Sequence, residues 1–406
     1  MSGTTAQLVR RLVSSSTDAG DEAMILRLLE GASPGDLNEV LADQDLARSL
    51  VSSLNDRPFG GPDNRAALFE LLGSGRRGEL GIPARAGLIR AIQERRLGPR
   101  EERLVRDLIT ELHGGDLTAL KNLVDAGADH DDLEKLVFRD VGSAVLRQEI
   151  LAHIAVEAKA VRVDAERAGA AGTEAKVLSD IDDTAICTLK DTRFPKGTLY
   201  PGVLALWKAL DEGPTGTGRT IGDLTFVTAR PTDVMGIIED LTRSRLRAAG
   251  IGHGAILTGS FVSLLSHGGM ADRKLRNIAH YHQLFPEYRI VFIGDSGQGD
   301  VRVATRLRTQ LGGAVDAALI HDVVGTPPEQ RLRHAADGVE FFDTYAQAAV
   351  VVRRLGLISD NALDAVVDET VAGFDRVPWT SREQESRARA LLSADLELVS
   401  AARANR

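Results

Sequence analysis

The chain has 406 residues, 43% of them apolar, and a formal net charge of −9, which is too long for one ordinary core and too apolar for disorder, so two or three globular domains are expected. Lysines and arginines are scattered among the acids rather than gathered into a stripe, which argues against a nucleic-acid partner. The single cysteine, Cys187, excludes an internal disulfide, the first thirty residues lack a signal-peptide profile, and the greasiest run, 346–358, is broken by Arg353 and Arg354; a cytoplasmic protein with no transmembrane segment is expected.

Residues 1–20 read as a flexible tail. Over 21–168 apolar residues recur at helical spacing, as at Met24, Ile25, Leu28 and Leu29, with Gly, Pro, Asn and Asp at the breaks, and this predicts an all-helical domain. Within it, 22–41 aligns with 102–121 at a constant offset, each window joining an apolar helix to Gly-Asp-Leu. The match is either a degenerate repeat of helical hairpins or what any two amphipathic helices capped by Gly-Asp produce, and no third copy is found.

A Gly/Ala-rich linker is expected at 169–174, after which short apolar strands alternate with amphipathic helices over 175–358. The strand candidates are 176–181, 224–229, 255–258, 289–294, 317–321 and 339–342. Helical segments separate most of them, so the sheet should be mainly parallel and buried on both faces, with its site at the carboxyl ends of the strands. Residues 359–406 turn helical again and are expected to pack on the α/β domain or on the amino-terminal helices.

Chemistry concentrates in Val177-Leu178-Ser179-Asp180-Ile181-Asp182-Asp183-Thr184, where an apolar strand runs into three acids within four positions. Crowded carboxylates resist ionising unless a cation neutralises them, and hard oxygen donors suit Mg²⁺; the bland alternative is that Asp182 or Asp183 caps a turn. A second acidic pair, Asp295 and Asp300, follows Val291-Phe292-Ile293-Gly294, and its glycines let backbone approach a small ion or phosphate closely. Between these sites Phe226-Val227-Thr228-Ala229-Arg230-Pro231 ends a strand in a hydroxyl, and Lys274 opens a helix over 274–284. Gly294-Asp295-Ser296-Gly297 is close to a serine-protease string, but alternating strands and helices do not fit that β-barrel fold. The loop 213–220 (GPTGTGRT) is one residue from a P-loop, yet it follows a helix and precedes a strand, so it reads as a surface loop.

The order Asp-x-Asp-x-Thr, strand-end Thr, Lys, Gly-Asp-x-x-x-x-Asp resembles the four motifs of the haloacid dehalogenase (HAD) superfamily. Within it, SDIDDT, the spacing from Lys274 to Phe285-Pro286, FIGDSGQGD, Ile320-His321-Asp322-Val323 and LGLIS resemble the App1 family of phosphatidate phosphatases. The chain departs from that family's wording at Thr228-Ala229-Arg230 and at His321. The resemblance implies a HAD-like (Rossmannoid) mainly parallel sheet with a small or absent cap, preceded by the helical domain and followed by carboxyl-terminal helices. It implies a Mg²⁺-dependent phosphatase working through an aspartyl-phosphate. Asp180 would be nucleophile and metal ligand, Asp182 acid, base and metal ligand, and Asp295 a metal ligand. Thr228 and Lys274 would contact the phosphoryl group, supported by Asp300, Thr184 and Arg230, with His321 and Asp322 at the rim. Only about forty residues separate Thr184 from the second strand, which leaves no room for a large cap and points to a bulky substrate, a phosphorylated lipid or protein before a small molecule, with peripheral membrane contact left open. The competing class, a non-catalytic phosphate-binding or scaffolding protein with this fold, is disfavoured by intact acids at every motif position.

Overall fold

A computed structural model of the chain describes residues 4–14, 17–54, 62–125, 132–167, 175–215, 224–226 and 270–404. The strand expected at 255–258, the end of the one at 224–229 and most of the loop 213–220 lie outside the described residues. The chain divides into two compact units, one of Met1–Ala168 with Gln283–Pro286, the other of Gly169–His282 with Glu287–Arg406.

The first unit is helical, and its helices begin where short polar side chains take up the first free amides. Thr4 and Asp18 form capping boxes before Thr5–Val13 and Ala19–Gly31, Ser33 caps Pro34–Ala42 with a proline in its first turn, and Asp43 caps Gln44–Ser53. The apolar stripe of each helix is buried, as at Ile25 and Leu29, Leu37 and Leu41, and Leu46 and Leu50. Each window of the internal alignment spans two consecutive helices: Ala19–Gly31 with Pro34–Ala42, and Pro99–Thr110 with Gly114–Asp125. The long helix Ala144–Arg167 packs on both helices of the second window.

Among the described residues the second unit is an α/β fold around a five-stranded sheet, with β1 at Ala175–Ser179, β2 at Leu224–Phe226, β3 at Arg289–Asp295, β4 at Val315–His321 and β5 at Glu340–Phe342. All its ladders are parallel and the strand order is β2-β1-β3-β4-β5. Val177, Leu178, Phe292, Ile293 and Leu319 are buried on consecutive as well as alternate positions, as a sheet covered on both faces requires. Helices Val203–Glu212, Met270–Leu284, Asp300–Leu311 and Pro328–Ala336 fall between the strands. The terminal helices Asp360–Asp375 and Arg382–Ala404 pack on helix Tyr345–Arg354, so they belong to this unit. The order reverses at β1 and β3: the chain leaves β1 for β2 on one side and returns to build β3 on the other. Ligands of open α/β sheets bind at such a switch point. Among the described residues no helix is long and apolar enough to cross a membrane.

Candidate functional site

Asp180 follows β1 directly, and its amide donates to the Ile293 carbonyl at 2.9 Å, extending the β1–β3 ladder by one rung. Asp295 is the last residue of β3 and Asp300 the first of helix Asp300–Leu311. One carboxylate oxygen from each of these three buried acids lies within 4.8 Å of the other two. Lys274 reaches in from helix Met270–Leu284, its Nζ 2.6 Å from Asp300 Oδ1 and 3.3 Å from Asp180 Oδ1. Two glycines make the approach possible. A Cβ on Gly294 would stand 2.6 Å from both Cβ and Oδ2 of Asp300, and one on Gly297 would stand 2.9 Å from Lys190 Cγ and 3.1 Å from Asp295 Oδ1.

The cluster carries more negative charge than Lys274 balances. Burial, then repulsion from Asp300, Asp295 and Asp182, holds the Asp180 carboxyl well above the usual range despite the lysine. Burial and then Asp300 push Asp295 up to about 7. Burial works against the charge on Lys274, but Asp180 and Asp300 outweigh it and keep the ammonium protonated. Asp300 Oδ2 and Thr184 Oγ1 are buried with no hydrogen-bond partner, an arrangement that is costly unless a ligand completes it. Oxygen-only donors, excess negative charge and an orphaned carboxylate oxygen fit a hard divalent cation.

Asp182 stands beside this cluster, its carboxylate outside the trio. Its Oδ1 accepts from Thr188 Oγ1 at 2.8 Å, and its carbonyl faces Gln298 Nε2 at 3.4 Å, which also donates to Asp295 Oδ2 at 3.3 Å. Asp183 is the turn-maker. It holds a left-handed backbone with φ of 55°, and its carboxylate accepts from the amides of Thr188 at 2.7 Å, Leu189 at 2.9 Å and Lys190, which compensates the strain. The Thr184 carbonyl accepts from Tyr345 Oη at 2.6 Å. Thr228 and Arg230 lie outside the described residues.

His321 and Asp322, expected at the rim, are each only 1% exposed and serve the scaffold. His321 Nδ1 donates to the Asp183 carbonyl at 2.9 Å and Nε2 accepts from Arg193 at 2.8 Å. Those partners require a neutral ring, and burial followed by the Arg193 charge lowers its pKa to about 4. Asp322 accepts from Ser296 Oγ at 2.9 Å, Thr326 N at 2.7 Å and Arg331. Burial opposes its ionisation, yet Arg331 and these donors hold the carboxyl below the usual range. Motif reasoning also missed Thr188, Gln298 and the buried Asp191, which binds Arg193 Nη2 at 3.0 Å and Tyr200 Oη at 2.8 Å. These residues sit in aperiodic loops; the only signal was polarity close to a motif.

Residues 175–322 match the model of a family described as phosphatidate phosphatase APP1, catalytic domain, and this segment of the chain is App1-like. The match runs from β1 to just past β4 and takes in Asp180, Asp182, Lys274, Asp295 and Asp300. No curated protein and no solved structure matches the chain.

Proposed function

We propose that the α/β unit is a Mg²⁺-dependent phosphatase of the HAD type that hydrolyses a phosphate monoester, with phosphatidate, named in the matched family, as substrate. The observation that carries this reading is the meeting of Asp180, Asp295 and Asp300 within 4.8 Å of one another, with the Lys274 ammonium 3.3 Å from Asp180.

Phosphate monoesters hydrolyse extremely slowly in water, so a catalyst must supply a positioned nucleophile, charge neutralisation and a proton for the leaving oxygen. In this reading a carboxylate oxygen of Asp180 attacks phosphorus; the bond to the leaving oxygen breaks and an aspartyl-phosphate forms. Asp182, steadied by Thr188, gives its proton to the leaving oxygen and later takes one from the water that cleaves the intermediate. Lys274, anchored by Asp300, offsets charge on the phosphoryl oxygens. Mg²⁺ held by Asp180, Asp295 and the Asp182 carbonyl would neutralise charge on the cluster and on the bound phosphoryl group. Thr228 and Arg230 take their parts, a hydrogen bond to phosphoryl oxygen and a contact with the rest of the substrate, from their motif alone.

The test is phosphate release from phosphatidate vesicles and from an aryl phosphate, with and without Mg²⁺. Wild type should turn over both only with Mg²⁺, and Asp180→Asn should lose about a thousandfold or more. Metal-independent release, or full activity in Asp180→Asn, would overturn the mechanism. A preference for sugar phosphates over phosphatidate would overturn the substrate.

A further inference from the structure

We propose that the helical unit carries a metal site of its own, formed by His113, His153 and Glu157 and suited to Zn²⁺. His153 and Glu157 lie one turn apart on helix Ala144–Arg167 and so share a face. His113 immediately precedes helix Gly114–Asp125, and one donor atom from each of the three residues lies within 4.8 Å of the other two.

Hydrogen bonds hold all three side chains in place. His113 Nδ1 lies in hydrogen-bond contact with Glu157 Oε1 at 3.0 Å; donors placed about 2.0–2.1 Å from a tetrahedral ion stand roughly 3.3 Å apart, so exchanging the shared proton for an ion needs little change in their separation. His153 Nε2 lies 2.8 Å from the Leu112 carbonyl. A carbonyl only accepts, so Nε2 bears a hydrogen, and a backbone oxygen on one ring nitrogen is how imidazoles that bind a metal through the other are oriented. The second Glu157 oxygen accepts from the Gly114 amide at 2.9 Å, and Oε1 is the oxygen that faces His113, so an ion entering here would replace that contact. Two imidazoles and one carboxylate are a zinc donor set with a fourth position open, and the His113 side chain, 70% exposed, leaves that position reachable from solvent.

The two clusters differ in ion preference. Oxygen donors alone around Asp180 favour Mg²⁺, whereas imidazoles select a borderline-soft ion. A Zn²⁺ ion here would tie the start of helix Gly114–Asp125 to helix Ala144–Arg167 and stabilise the unit rather than act on substrate.

The full chain is stripped with a chelator, supplied with excess Mg²⁺ to occupy the acidic cluster, and titrated with Co²⁺ as a visible probe. One equivalent should develop the strong d–d absorption of tetrahedral coordination, Zn²⁺ should bleach it, and Zn²⁺ should raise the unfolding temperature. His153→Ala should abolish the band. Glu157→Gln, which keeps an oxygen for the Gly114 amide, should weaken binding roughly tenfold or more. Asp180→Asn should leave the band intact, and circular dichroism checks that each variant retains its helices. No tetrahedral band in wild type, an unchanged band in folded His153→Ala, or loss of the band in Asp180→Asn would each overturn the proposal. Should His153→Ala unfold, the exposed His113→Ala variant makes the same comparison.

Discussion

Lys274 Nζ donates to Asp300 Oδ1 at 2.6 Å, closer than its 3.3 Å to Asp180, so the acid that opens a helix fixes the lysine, and the residue proposed as nucleophile does not. Removing the cation leaves buried acids unbalanced, a loss worth about 3–5 kcal/mol when one partner of a buried pair is deleted. Lys274→Met should therefore unfold at lower denaturant with an unchanged m-value at pH 8. Added Mg²⁺ should restore part of the loss, and a stability equal to wild type in metal-free buffer would contradict this picture.

Gly294 is required by contact. Gly294→Ala places a methyl group 2.6 Å from the Asp300 Cβ, and overpacking of this kind costs about 1–3 kcal/mol. The displaced Asp300 should release Lys274, so phosphate release should fall along with the melting temperature. Calorimetry and steady-state kinetics on the same preparation test both halves.

Thr188 Oγ1 donates to Asp182, the acid beside the trio. Thr188→Val should lower kcat by about tenfold with little change in KM, while Thr188→Ser, which keeps the hydroxyl, should recover most of it. A purely structural threonine would show the reverse, with the valine tolerated and the serine no better.

Away from the site, Asp395 on helix Arg382–Ala404 is capped by Thr344 Oγ1 at 2.7 Å. Burial, with Thr344 opposing and the Asp343 charge adding to it, pushes its pKa from 3.8 up to about 6. The folded state thus binds this proton more tightly than the unfolded chain does. Its contribution is most favourable below about pH 4, declines as pH rises through about 6 and is flat above. Asp395→Asn should remove that slope and gain about 1–3 kcal/mol relative to wild type above pH 6, measured by denaturant unfolding across pH.

The sequence made the site's main carboxylates legible because each ends a strand: the apolar runs before Asp180 and Asp295 mark where backbone stops being buried and side chains meet solvent or ligand. Asp300 was readable as a helix opening at motif spacing, whereas the helix expected to open at Lys274 begins at Met270, so the lysine stands a turn inside it. The division of labour between Asp182 and Asp183 was not, since two neighbouring aspartates look alike until backbone φ sends one into the loop amides and the other toward Thr188. His321 was read as a rim residue because it ends β4. Arg193, 128 residues earlier in the chain, covers it instead, and no local pattern reports a contact between an aperiodic loop and a distant strand. The α/β pattern with parallel strands was legible from alternation alone, and the helical half from its caps and apolar spacing, whereas Thr228, Arg230 and the 255–258 strand lie outside the described residues.

The reversal of strand order at β1 has a consequence for biosynthesis. Gln298, which reaches the Asp182 carbonyl, lies 116 residues downstream, and β2, which pairs with the other edge of β1, is synthesised before β3. A nascent chain that has emerged only as far as β2 carries Asp180, Asp182 and Asp183 with neither Lys274 nor Asp295 beside them. Contacts of such long range form late, so a divalent ion held as proposed would find its oxygens only once the sheet has closed, and a ribosome-bound fragment ending before Asp295 should release no phosphate.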